Sequence, residues 1–397
     1  MKSKLDNISP WIPISLLIFL GMVCLVMLWN VSSKTSLGES DFIAYWSATY
    51  LLQTGQNPYD PALILSVEKA QTERVFDGAI MAWNPPPLFV FLMPLAYLSF
   101  KTAKFVWLIV NILIVLICSL MLARLYLPPG NNKLVLIYLL FTFSLPQILT
   151  GIFMGQVTFL VFLGLTVCMV LIKKEQWFWA GAVLILTTIK PHMVVLPMLY
   201  LLIYMAQRRQ YKSWIGLIAA GLTCLVILFI FRPHWVYDLF GEMAIVPVHI
   251  VTPTIGGLLS YWGMPDATRY IIIFLLPLPF ILARYQVAIK IELAVALLTL
   301  ITVPTTFFGW SFDQTILLIP IAQVFGWMAI SKHKIINTWF VIAIITSLVA
   351  TYVQRIFNSN DVYYVWVPLF WWIIFGVGWY FFQPKKRCRR EVLLSIF

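Results

Sequence analysis

Charge is scarce in this chain of 397 residues: Asp, Glu, Lys and Arg together make up 11% of it, against 61% hydrophobic residues. Soluble proteins run at about 25% charged and about 45–50% apolar. The polar groups here are too few to cover a water-facing surface, which excludes a globular soluble enzyme, a disordered chain and a nucleic-acid-binding domain. Histidine and cysteine are also few, at four and five residues. Cys24, Cys118, Cys168 and Cys224 lie inside apolar runs and Cys388 in a basic tail, so neither a disulfide framework nor a metal site is expected. The chain lacks a Gly-x-x-x-x-Gly-Lys-Ser/Thr loop, which argues against an ATP-driven transporter. No Ser/His/Asp set suggests a hydrolase. Acidic charge is scarcer than basic, with 15 Asp+Glu against 27 Lys+Arg and a net charge of +12; in a membrane protein such an excess records topology.

Apolar runs fill the chain instead. A crossing helix needs about 20 apolar residues to cover about 30 Å of hydrocarbon. Candidates lie near 11–30, 104–123, 134–149, 156–172, 177–189, 192–206, 213–231, 268–283, 288–303, 314–330, 335–354 and 362–382. They predict an all-α polytopic membrane protein with about 12 transmembrane helices. The first run is too long for a signal-peptide core, and Trp29-Asn30 is a poor cleavage site, so it reads as a retained span. A further apolar piece, 86–98, rises only about 20 Å as a helix and is interrupted by Pro94.

Charge decides whether 86–98 crosses. If it does not, 18 of the 27 basic residues are cytoplasmic; if it does, only 8 are. The positive-inside rule selects the first arrangement, making 86–98 a re-entrant or interfacial segment whose backbone is covered by protein. Both termini are then cytoplasmic in the cell membrane. The large loops 31–103 and 232–267 face outward, and 11 of the 15 acids share that side. Residues 1–384 read as one integral membrane domain and 385–397 as a basic cytoplasmic tail, its Lys/Arg cluster an anchor near anionic lipid. No internal repeat is visible.

The first outer loop carries a short helix over 41–54, with Ser40 as N-cap and Gly55 as stop. Phe42, Tyr45, Trp46 and Tyr50 make it aromatic and suited to the membrane–water interface. Asp41 and Tyr45, four apart, share a face. The helix dipole keeps a first-turn carboxylate ionised, and capping a surface helix is the simpler role for Asp41.

Asp-Phe-x-x-Tyr-Trp-x-Ala at 41–48, Leu-Leu-x-x-Gly-x-Asn-Pro-Tyr-Asp at 51–60 and Asn-Pro-Pro-Pro-Leu-Phe at 84–89 resemble motifs of glycosyltransferase family 87. So do Leu-x-Gly-Ile-Phe-x-Gly-Gln at 149–156, Lys-Pro at 190–191 and Gly-Trp-Ser-Phe-Asp-Gln at 309–314. The resemblance spans roughly 36–325. It implies the C-type glycosyltransferase architecture, a polyprenyl-phosphate sugar as donor, mannose by family default, and the catalytic aspartate just after the first span, where Asp41 stands. The sequence departs from the family pattern at Thr252-Pro-Thr-Ile-Gly-Gly-Leu-Leu and at Asp313-Gln314, where many members carry histidine.

The chemistry agrees with that expectation. Outside the cytoplasm a transferase needs a donor activated on a lipid, a base for the acceptor hydroxyl and positive charge for the departing phosphate. Asp41 is the first candidate base and Asp313 the second, although Asp313 also suits a helix cap near Gln314. Lys190, Arg232, His192, His234 and His249 are the candidate phosphate ligands; headgroup snorkelling for Arg232 and a local carbonyl for Lys190 are the alternatives. Tyr45, Trp46, Asn57, Tyr59, Asn84, Gln156, Trp310 and Gln314 are candidates for sugar or acceptor contact, with helix capping for Gln156 and interfacial anchoring for the tryptophans as alternatives. No cofactor or metal is implied. The expected partners are membrane lipid, the polyprenyl-phosphate sugar and a lipid or glycan acceptor, with no nucleic acid and no obligate protein partner. The rival is a carrier or flippase of lipid-linked sugars, which paired charges within the spans would favour.

Overall fold

The computed structural model describes residues 41–72, 78–243, 250–285, 289–331, 333–357 and 360–382. The expected first span at 11–30, His249 and the basic tail lie outside the described residues. Among those described there are only helices and connections, with no strand.

The first outer loop contributes α1 (Phe42–Gln53), α2 (Pro61–Gln71) and α3 (Pro87–Ala96). Asp60 starts α2, its carboxylate accepting from the backbone N–H of Ala62 at 2.8 Å and of Leu63 at 3.2 Å, with Pro61 at the first helical position. α1 corrects two expectations. Asp41, not Ser40, occupies the N-cap position, and its side chain makes no cap hydrogen bond. Ten of the twelve residues of α1 are buried, so the helix is enclosed by protein and is not a surface helix. It is apolar all round, as a helix enclosed by protein must be. Trp46 shows this, with its Nε1 donating to the Leu95 carbonyl of α3 at 3.1 Å and its ring 5.6 Å from that of Phe100. Gly55, at φ +75°, stops the segment as expected.

α3 has ten residues with Pro94 inside it, about 15 Å of rise and far short of a bilayer. It packs against α1, and five of its ten residues are buried. The following helices are α4 (Phe100–Tyr126), α5 (Asn132–Ser144), α6 (Pro146–Met154), α7 (Thr158–Lys173) and α8 (Trp177–Val183), which continues as 3-10 turns over Leu184–Ile189 and Pro191–Met193. Then come α9 (Val195–Gln207), α10 (Tyr211–Phe231), α11 (Trp235–Met243) and α12 (Ile255–Tyr261). α13 (Ile272–Leu275) and α14 (Leu278–Arg284) follow a 3-10 turn at Asp266–Ile271. α15 (Ile291–Thr305), α16 (Leu318–Ile330) after the 3-10 segment Ser311–Leu317, α17 (Lys334–Phe357) and α18 (Trp366–Phe382) after Asp361–Val365 complete the described residues.

Every expected apolar run within the described residues is therefore helical, but the run near 134–149 is broken: α5 and α6 meet at 58°, where Pro146 cannot continue the ladder of α5. Among the described residues, six helices are long and apolar enough to cross a membrane, seven if that bent pair is one span. Five apolar helices are shorter: α3, α7, α8 with its 3-10 extension, α9 and α15. The core runs through α1, α4, α7, α15 and α16, while α10 buries few of its residues. α8 and α10 touch backbone to backbone where Gly181 meets the Ser213 carbonyl and Gly216 the Phe178 carbonyl, leaving no room for a side chain.

Candidate active site

Four segments far apart in sequence converge on one polar cluster. α6 ends at Gly155 in the left-handed conformation, φ +68°, the usual glycine stop. A Cβ there would sit 2.6 Å from Cβ of Phe42, so only glycine lets the start of α1 press against this turn. The contact delivers Asp41 to the next residue, Gln156, whose Nε2 donates to the Asp41 carboxylate. Tyr45, one turn along α1, donates its hydroxyl to Gln156 Oε1 at 3.2 Å. From α4, Trp107 Nε1 donates to the Gly155 carbonyl at 2.8 Å and Asn111 Nδ2 to that of Gln156 at 3.3 Å, fixing the turn.

Lys190 enters from the junction of the two 3-10 turns. Pro191 biases it away from helical geometry, and its backbone sits at φ −138°, ψ 71°. Its ammonium donates to Gln156 Oε1 at 3.2 Å, Thr158 Oγ1 at 3.2 Å and Asp313 Oδ1 at 2.9 Å, and lies 5.3 Å from the centre of the Phe312 ring. The Lys190–Asp313 pair is nearly sealed, with side chains 9% and 6% exposed. Thr158, the first residue of α7, also donates to Asp313. The second Asp313 oxygen accepts from the Trp310 backbone N–H at 2.9 Å, so Asp313 both braces its own 3-10 segment and holds the lysine.

Asp41 is half-buried. Burial raises its carboxyl from an ordinary 3.8 to about 6; Lys190 opposes the rise, Asp313 adds to it and the Gln156 hydrogen bond opposes it. A carboxylate so placed is close to the value a general base needs near neutral pH. His192 places its imidazole beside the Phe307 ring at 5.3 Å. Its Nε2 has no hydrogen-bond partner.

The other expected residues divide. Gln314 is buried, with Nε2 donating to the Tyr364 carbonyl at 2.9 Å. Trp310 stacks on Phe312 at 6.2 Å. Asn84 and Tyr59 support the cluster from behind: the Tyr59 hydroxyl donates to the Asn84 carbonyl and Asn84 Nδ2 to the Ile189 carbonyl, both at 3.1 Å. Asn57 closes a turn onto the Tyr59 N–H at 2.9 Å. The structure does not bring Arg232 into hydrogen-bond contact with the cluster; Asp238 grips it through two nitrogens, at 2.7 and 3.2 Å, and the Gly55 carbonyl takes a third at 3.1 Å. His234 is exposed beside Tyr237.

Two residues of the site escaped the sequence reading. Thr158 stands two places after Gln156, and its signal was that proximity to a glycine–glutamine turn. Asp361 accepts from the Ser311 N–H at 2.8 Å and Ser311 Oγ at 2.6 Å, holding the segment that carries Asp313. Nothing local marked it beyond an acid between two apolar runs. Among the described residues, no group of three or more His, Cys, Asp or Glu converges as a metal site would.

An all-helical protein with several membrane-length helices and a buried carboxylate–lysine cluster is the class defined so far. The profile of glycosyltransferase family 87 matches residues 83–306, more than half the chain, and the chain belongs to that family of glycosyltransferases. Gln156 and Lys190 lie within the matched stretch, Asp41 and Asp313 outside it. Neither the curated proteins nor the solved structures contain a match to this chain.

Proposed function

We propose that this protein transfers a hexose, mannose by family default, from a polyprenyl-phosphate donor to a lipid or glycan acceptor on the extracytoplasmic face of the cell membrane, with inversion at the anomeric carbon. The observation that carries the reading is the Asp41–Gln156–Lys190–Asp313 cluster. It joins a carboxylate poised near neutrality to a buried ammonium, the pair of groups that a glycosyl phosphate donor requires. Asp41 accepts the proton of the attacking acceptor hydroxyl. Lys190 moves from Asp313 toward the departing phosphate, and Asp313 keeps the lysine oriented between turnovers. The acceptor oxygen bonds to the anomeric carbon as the bond to the phosphate oxygen breaks, and the phosphate leaves with both electrons on its polyprenyl carrier.

The contact pattern supports the twelve-crossing, C-type arrangement with cytoplasmic termini. Charge counting alone assigns Asp41, Gln156, Lys190, Asp313 and Asp361 to one side, and these residues or their immediate neighbours are in hydrogen-bond contact. The shorter helices α7, α8, α9 and α15 then cross as protein-enclosed spans. Arg232, committed to Asp238, serves in this reading as a clamp on the second outer loop.

The test incubates purified protein with a panel of radiolabelled polyprenyl-phosphate sugars and a total lipid extract. Label in a new product identifies the transferase and its donor. Movement of lipid-linked sugar across vesicles without any product instead identifies a carrier and overturns the reading.

A further inference from the structure

Where the break between α5 and α6 meets the 3-10 segment that carries Asp313, a small cavity is enclosed by Gln147, Gln314, Thr315, Val367, Trp371 and five aliphatic side chains. Every one of these residues is buried. Two polar atoms there are left over. Gln147, in the first turn of α6, and Gln314 are each 5% exposed, and the Oε1 of each has no hydrogen-bond partner. Buried acceptors in this state call for an explanation. Gln314 Nε2 donates to the Tyr364 carbonyl at 2.9 Å, so its bond identifies the nitrogen of that amide. The same bond shows which way the amide points. Val367 and Trp371, one and two turns beyond Tyr364, line this cavity, whereas the neighbouring gap beside Asp313, which Gln314 also borders, takes no residue from α18. The Gln314 oxygen, on the same carbon as the nitrogen, therefore belongs to the cavity it shares with Gln147.

Size and lining choose the occupant. About 20 Å³ is open to the centre of a water molecule, and one water needs about 10–15 Å³ on that measure. An organic ligand is too large. A hard metal cation takes about six or more oxygen ligands, carboxylates among them, and no acid lines the cavity. Water brings two hydrogens to two unmatched oxygens, and two polar partners are what a buried water needs. With the Gln147 amide turned over, the same water accepts from its nitrogen instead. We propose that the cavity is a binding site for a single ordered water, which donates to Gln147 Oε1 and Gln314 Oε1 and braces the first turn of α6 against the segment of Asp313. Asp361 braces that segment from Ser311, three residues earlier. The assignment is independent of the transferase reading.

An experimental structure of the full chain in lipid nanodiscs, at a resolution that shows ordered waters, tests the occupant. The expected result is one peak about 3 Å from both amide groups. A map that shows waters elsewhere and none here, or an amide oxygen bonded to another protein group, overturns the proposal. Thermal unfolding in detergent tests the coupling, with Gln147→Leu introduced into wild type and into Gln314→Leu. Groups that share one water are not independent. In wild type, Gln147→Leu leaves the water and the Gln314 oxygen short of a partner and lowers Tm. In the Gln314→Leu background no acceptor remains to be stranded, so the Tm shift caused by Gln147→Leu is expected to be at least halved. Equal shifts in the two backgrounds overturn the shared water.

Discussion

An ion pair lies at each end of α7, and the two are built differently. At its start Thr158 bridges Lys190 and Asp313, 2.9 Å apart and sealed from solvent. At its close Lys173 reaches Glu292 at 3.5 Å, with side chains 54% and 17% exposed. In the proposed topology the second pair sits where the positive-inside rule puts a lysine, and an exposed pair contributes little to stability. The first holds a charge that had to be desolvated, which is retained only when every partner is in place. In the proposed reading the same residue types mark topology at one end and chemistry at the other.

Lys190→Met probes the contrast hardest. It leaves Asp313 buried without its cation, expected to cost about 3–5 kcal/mol and to abolish transfer. Lys173→Met is expected to stay within about 1 kcal/mol and to keep activity. Thermal unfolding in detergent compares the two, and equal shifts would erase the distinction. A smaller effect is expected from Asp361→Asn, since Asp361 acts through Ser311 on the segment of Asp313. Misplacing that segment should lower kcat about 10–100-fold with little change in donor KM, and Asp361→Glu should recover part of it. A larger fall in affinity than in kcat would assign Asp361 another role.

pH sharpens the comparison within the cluster. Asp41 titrates at about 6 in the folded protein against an ordinary 3.8, so the fold holds more protons than the unfolded chain between those values. Stability from this group is therefore present at low pH and falls as pH rises from about 4 to about 6. Asp41→Asn should unfold at a higher temperature than wild type at pH 7.5 and at the same temperature near pH 4. Transfer by wild type should decline below about pH 6 as Asp41 protonates. Lys173→Met, the smallest perturbation, should leave both pH profiles unchanged.

The helices were legible because apolar run length is a local property. The expected helix over 41–54 is α1 at 42–53, and 86–98 holds a helix too short to cross. The surroundings of α1 were misread because interfacial and buried helices share aromatic content; what separates them is an apolar surface on every side. Lys190, Gln156, Asp41 and Asp313 were each flagged singly, but their union was not legible. It depends on contacts across 115 and 123 residues of sequence, made possible by Gly155 and by Pro191. Arg232 was read as a phosphate ligand because cations are rare on that side. Its capture by Asp238, six residues on, depends on how the start of α11 turns back, which composition does not encode.

The most direct test of the central claim is hexose transfer at pH 7.5 by wild type, Asp41→Asn and Lys173→Met, measured side by side with the same labelled donor. The account predicts a fall of about 10²–10⁴-fold for Asp41→Asn and wild-type rates for Lys173→Met. Undiminished transfer by Asp41→Asn would contradict it.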